Sequence, residues 1–268
     1  MSKPTKKTAY ETNQAIEALI AQRGDDPAAY TSADRVFIGQ YSGYGGLDEF
    51  ENAQGKGLLY EFYTPETIIR KMWSLALLHG FKGGKVLEPS AGIGDFLKYA
   101  PGRSHLQRDA QFMCVEVSPM SAKILRILYP QAMVKEGYFE QLFINDRNES
   151  LRGKVVPQYD LVVGNPPYGN ISGRYFAMGE DTYSQANQYD EYFILRGLDL
   201  LHPGGLLVFI VGAEVANGGS PFLGRSNSKP KCKEKIAAIA DLIDAYRLPN
   251  GVFDRTDVLS DIIIFRKK

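Results

Sequence analysis

The stretch of this 268-residue chain best suited to chemistry is Asn165-Pro166-Pro167-Tyr168, which follows the apolar run Tyr159 to Gly164. Its residue types suit one task, gripping a planar NH2 group. The exocyclic amine of adenine or cytosine, like a side-chain amide, has its lone pair spread into the neighbouring π system and is a poor nucleophile. An Asn side-chain oxygen and the Pro166 carbonyl can each accept one N–H, favouring a pyramidal nitrogen whose lone pair points at an electrophile. Pro166 and Pro167 fix φ and remove two backbone donors that would compete for those acceptors, while Tyr168 offers a face for stacking a flat ring. The plainer alternative is a turn leaving a strand, since Asn-Pro is a common turn starter.

A second constellation lies upstream. Gly84 to Leu97 reads as an apolar strand ending in Glu88, a turn through Pro89, Ser90, Ala91 and Gly92, and a helix opening after Gly94. The glycines let the backbone approach a ligand, and the helix offers its N-terminus to an anion. The segment lacks the Gly-Lys-Ser/Thr ending of a phosphate-binding loop and does not match the full dinucleotide fingerprint. Glu88 sits where a carboxylate could take the ammonium of an amino-acid ligand. The strand Gln111 to Val117 carries Glu116 near its end, where ribose hydroxyls lie in a doubly wound sheet. An amino acid and a nucleoside in one ligand suggest S-adenosylmethionine.

On these residues the chain resembles the S-adenosylmethionine-dependent amino-group methyltransferases, and within them the N6-adenine DNA methyltransferases of phage, mobile-element or restriction-modification type. Leu87 to Gly94 looks like their first motif, Glu116 their second and Asn165 to Tyr168 their fourth. Glu61-Phe62-Tyr63-Thr64-Pro65-Glu66 is similar to their N-terminal cofactor motif, and Tyr41 to Leu47 to a preamble of phage adenine methylases. The resemblance runs from about Thr12 to the C-terminus. It implies that Tyr63, Thr64, Glu88, Pro89, Ser90, Ala91, Gly92, Glu116, Val117, Phe139 and Asn165 meet S-adenosylmethionine. It also implies that Asn165, Pro166, Pro167 and Tyr168 carry the transfer. Arg247 to Phe265 looks like the family's late hairpin, which makes Phe253 the candidate to sandwich a flipped adenine with Tyr168; an ordinary core aromatic is the other reading. One departure stands out: Tyr138, before Phe139, occupies the position where the family often has an acid for the cofactor's adenine. Glu140 or the backbone could serve instead. No large target-recognition region follows the hairpin.

These residues need a frame to hold them. Apolar runs near 85–88, 111–117, 132–135, 159–163, 205–212, 241–246 and 261–266 predict seven strands alternating with helices. With the resemblance, the expectation is an α/β fold: a Rossmann-like, doubly wound, mostly parallel methyltransferase sheet with an antiparallel edge hairpin. Residues 1–58 read as a polar tail and helical extension, with helices beginning near Thr12 and spanning about 33–40, and 59–268 as the catalytic domain. The stripe Ile68, Ile69, Met72 and Leu75 reads as core packing.

Two loop-like segments could meet DNA: Gly169 to Gln188, with Arg174, Tyr175, Phe176 and Tyr183, and Asn217 to Lys235, whose Lys229 and Lys231 suit phosphates. A solvated flexible surface explains the second equally well. A net charge of zero argues against broad coating of nucleic acid and leaves room for a local footprint. The two cysteines and three histidines show no metal-ligand or disulfide pattern. The apolar runs are too short to span a bilayer, so a cytoplasmic protein is expected, without membrane or metal. A separate target-recognition or restriction subunit is a possible partner. Other substrates stay open: cytosine N4, RNA adenine and protein glutamine. So does a non-catalytic subunit of a restriction or antirestriction assembly.

Overall fold

Alternate residues of the central strands face opposite ways, and in the computed structural model both faces are buried. Leu87, Val162, Leu207, Phe209, Ile263 and Phe265 belong to one apolar cluster. Their neighbours Val86, Leu161, Val163, Val208, Ile262 and Ile264 belong to another on the opposite side. A strand buried on both faces gains from every side chain, which explains its near-continuous apolar sequence. The structure describes residues 6–44, 63–144, 155–169, 180, 183–184, 186–213, 230–253 and 259–268.

The sheet has seven strands: β1 (Gly84–Glu88), β2 (Ala110–Glu116), β3 (Met133–Glu136), β4 (Tyr159–Gly164), β5 (Leu201–Gly212), β6 (Ala240–Arg247) and β7 (Ser260–Lys267). Their spatial order is β3-β2-β1-β4-β5-β7-β6. β7 runs antiparallel to both β5 and β6, and the other pairings are parallel. All seven predicted strands are present, together with the antiparallel edge. β5 begins earlier than its apolar run, because Leu201 already pairs with Tyr159.

Helices cover both faces: α1 (Lys6–Arg23), α2 (Ser32–Ile38), α3 (Glu66–Leu78), α4 (Asp95–Lys98), α5 (Pro119–Leu128), α6 (Tyr189–Leu200) and α7 (Pro230–Ile239). α3 buries Ile69, Met72, Trp73, Leu75 and Ala76 against one sheet face, the stripe read as core in the sequence. α6 lies on the other face. α1 and α2 pack Ile16, Ile20 and Ile38 against Ile124 and Ile127 of α5. Thr31 caps α2 reciprocally with Asp34. The fully buried Asn13 side chain holds the following turn, donating to the Gly43 carbonyl and accepting from Ser42 N at 3.0 Å.

Two expectations are corrected. The Lys-rich segment predicted as a loop to Lys235 is helical from Pro230, as α7. Cys232 and Ile236, four residues apart, bury one face of that helix, while Lys231 is exposed and Lys233 and Lys235 are half-buried. α1 also begins at Lys6, ahead of the predicted start at Thr12. Among the described residues no helix is long and apolar enough to cross a membrane.

Candidate active site

The order of strands reverses between β1 and β4, where helices depart to opposite faces and leave a crevice at the carboxyl ends. Both sequence constellations converge there. The cleft is lined by Tyr63, Thr64, the turn Glu88 to Gly92, Glu116, Val117, Phe139 and the whole tetrapeptide Asn165 to Tyr168. Asp95, Phe96, Gly137, Tyr138, Glu140 and Phe193 complete the wall. Every residue assigned to the cofactor from sequence is on this wall. Asp95, Phe96, Gly137 and Phe193 are additions; Asp95 and Phe96 open α4 directly after Gly94, and Phe193 becomes visible only once α6 is seen to pack on Phe139 at 4.7 Å between ring centroids.

Two loops build the cleft and are bonded to each other. In the first, Gly92 has φ +53° and a Cβ there would lie 3.2 Å from the Tyr63 ring, so glycine admits that aromatic. Gly94 has φ +90°, and a Cβ would meet Leu125 of α5 at 2.4 Å. Glu116 closes the loop from β2: its two carboxylate oxygens accept from Gly92 N and Ser118 N, each at 2.7 Å. The second loop carries the tetrapeptide. Ser90 Oγ donates to the Asn165 main-chain carbonyl at 3.2 Å, and Tyr189 N, opening α6, donates to the Gly169 carbonyl at 3.0 Å. The Tyr168 hydroxyl donates to Asn165 Oδ1 at 2.5 Å.

Electrostatics in the cleft favour a cation. Glu88 is 1% exposed, and burial, then Asp95 and Glu116, push its carboxyl well above the usual range. Burial likewise raises Asp95, partly offset by Lys98. Glu88 Oε2 has no hydrogen-bond partner within the protein. Such an atom costs free energy unless a ligand satisfies it. A ligand bearing an ammonium would do so, and its charge would relieve the repulsion among the three acids. The cleft therefore fits S-adenosylmethionine: acidic at its floor and aromatic at Tyr63, Phe139 and Phe193 for a flat ring.

The remaining sequence candidates lie elsewhere. Phe253 is 5% exposed in the apolar cluster against which Tyr168 also packs, and it is not on the cleft wall. Tyr183, expected on a substrate loop, is turned into the protein: it donates to Asp199 at 2.7 Å and stacks under Arg196. Lys231 is exposed on α7. Lys229, Arg174, Tyr175, Phe176, Glu61, Phe62 and Gly45 to Leu47 fall outside the described residues. Among the described residues no group of His, Cys, Asp or Glu could hold a metal.

The chain is similar to known methyltransferases in sequence and in fold. The model of the Eco57I restriction-modification methylase family matches residues 121–247 of this chain. The matched region includes the tetrapeptide. The chain is 32% identical over 260 residues to Defense against restriction protein B of Escherichia phage P1, covering 96% of this chain and 10% of the relative. It is 30% identical over 167 residues to Type II methyltransferase M.TthHB8I of Thermus thermophilus, covering 56% of this chain and 34% of that enzyme. The chain thus spans about a tenth and a third of these two curated relatives. A class I S-adenosylmethionine-dependent methyltransferase structure from Listeria monocytogenes superposes with a TM-score of 0.63 at 16% identity, over 98% of this chain and 80% of that one. The chain therefore has the class I methyltransferase fold.

Proposed function

We propose that this chain methylates N6 of adenine in DNA, on a base turned out of the duplex, with S-adenosylmethionine as methyl donor. The observation that carries the reading is the shared wall: the amine-gripping tetrapeptide and the acidic cleft that fits the cofactor face one space. When bound, S-adenosylmethionine supplies a methyl group on a positively charged sulfur. Glu88 holds the ammonium of its amino-acid part, and Tyr63, Thr64 and the Pro89-Ser90-Ala91-Gly92 turn shape that end. Glu116 and Val117 flank the ribose, and Phe139 packs on the adenine ring.

The tetrapeptide does the rest. Asn165 Oδ1 and the Pro166 carbonyl each accept one N–H of the target amine and aim its lone pair at the methyl carbon. The new N–C bond forms as the S–C bond breaks, and the amine then loses a proton to solvent. Pro167 keeps the turn rigid. Stacking on Tyr168, backed by Phe253 in the shared cluster, offsets the few kcal/mol, in order of magnitude, that removing a base from the duplex costs. Lys229 and Lys231 meet backbone phosphates. In this reading residues 59–268 are the catalytic domain and 1–58 a helical extension. A separate target-recognition or restriction subunit supplies target recognition.

The test is transfer of label from S-adenosylmethionine to unmethylated genomic DNA, followed by nucleoside analysis. Label in N6-methyl-2′-deoxyadenosine supports the reading. Label in N4-methylcytosine, or only in RNA or protein glutamine offered in parallel, overturns it.

A further inference from the structure

Tyr168 lines the cleft, and its hydroxyl is buried. It donates to Asn165 Oδ1 at 2.5 Å and is also bonded to the side chain of Ser260. Ser260 is 2% exposed and opens β7 opposite Gly212, the last residue of β5. Further bonds tie that corner together. Ala213 N donates to the Leu259 carbonyl at 2.7 Å, and Gly212 N donates to Asp190 of α6 at 3.2 Å. A frame of two strands and a helix therefore holds the phenol.

The need for such a frame follows from the chemistry of an amide. The two ends of an Asn side chain have nearly the same shape, but only the oxygen accepts hydrogen bonds. An amide turned by half a rotation would aim its own NH2 at the target amine, donor against donor. Pro166 and Pro167 fix the backbone and leave this choice open. A phenol whose oxygen accepts from Ser260 has its proton directed at Asn165, where only Oδ1 can accept it. Since Oδ1 has two lone pairs, one can be held by Tyr168 while the other faces the cleft.

We propose that Tyr168 has a positioning role separate from stacking: its hydroxyl, fixed by Ser260, orients the Asn165 amide so that Oδ1 meets the incoming amine. Ser260 and the Tyr168 hydroxyl are positioning groups, and Asn165 remains the residue that touches substrate. The inference deepens the amine-methylation reading and rests on it.

The test compares wild type with Tyr168→Phe, Ser260→Ala and Ser260→Thr in the full chain, using labelled S-adenosylmethionine and unmethylated genomic DNA. Tyr168→Phe keeps the stacking ring and should leave KM for DNA within about twofold while kcat falls about tenfold, the effect of one hydrogen bond to a buried group. Ser260→Ala should lower kcat in the same way, and Ser260→Thr, which keeps the hydroxyl, should recover most of it. Wild-type kcat in both Tyr168→Phe and Ser260→Ala overturns the proposal. So does a matched loss of kcat and affinity that Ser260→Thr fails to rescue, which marks a structural role. If wild type places no label on any amine, the methylation reading fails and this role with it; an active wild type with indifferent variants sinks the positioning role alone.

Discussion

Ser90 Oγ and the Asn165 main-chain carbonyl are joined by a 3.2 Å hydrogen bond between residues 75 positions apart. The bond ties the turn after β1, which faces the cofactor, to the turn after β4, which faces the target. Both turns hang from adjacent parallel strands, so a small relative shift would separate donor and acceptor of the methyl group.

Ser90→Ala should therefore weaken transfer more than it weakens the fold. Loss of one such bond amounts to about 1 kcal/mol, or roughly fivefold in kcat/KM. Steady-state kinetics beside a thermal melt checks this. Unchanged kinetics would show that the two turns keep their spacing without it.

The raised Glu88 carboxyl makes a prediction with a definite sign. An acid with a higher pKa in the folded than the unfolded state stabilises the fold as its protonated form. That contribution is complete below the ordinary value of 4.5 and is lost as pH rises through the raised folded value. Melting temperatures of the ligand-free protein should fall as pH rises from 4.5 towards the raised folded value, relative to Glu88→Gln, which cannot ionise. Saturating S-adenosylmethionine should restore wild type and have little effect on the variant. Parallel profiles for the two proteins would exclude an uncompensated Glu88.

Arg196 is a different kind of buried charge. Its side chain is 2% exposed, bonded to the fully buried Glu180 and at 3.0 Å from Asp199, with its guanidinium 4.4 Å from the Phe143 ring centroid. Removing one partner leaves the other charged and buried, so Arg196→Met should cost about 3–5 kcal/mol. Arg196→Met with Glu180→Leu should regain much of that. Urea unfolding measures both; a single variant within about 1 kcal/mol of wild type would contradict the account.

The sheet could be read from sequence because strands buried on both faces leave apolar runs, as in Leu161-Val162-Val163 and Ile262-Ile263-Ile264. The cleft was readable for a related reason: its residues cluster at strand ends, where Glu88, Glu116 and Asn165 each interrupt an apolar run with a polar group. What stayed hidden depends on contacts distant in sequence. α7 was obscured because its lysines dominate a segment in which only Cys232 and Ile236 mark the buried face. Arg196 and Glu180, 16 residues apart, look like solvated charges until α6 is placed against the sheet. The bond from Tyr168 to Ser260 appears only when β7 is set beside β5.

The claim on which the rest depends is that Asn165 holds the amine that receives the methyl group. Single-turnover transfer and equilibrium binding of labelled S-adenosylmethionine, measured on wild type and Asn165→Ala, test it most directly. The account predicts that transfer falls by at least about 10²–10³-fold, as for removal of a group stabilising developing charge. Cofactor affinity should change little, because Glu88 and the Pro89 to Gly92 turn are untouched. Normal transfer by Asn165→Ala would contradict the account.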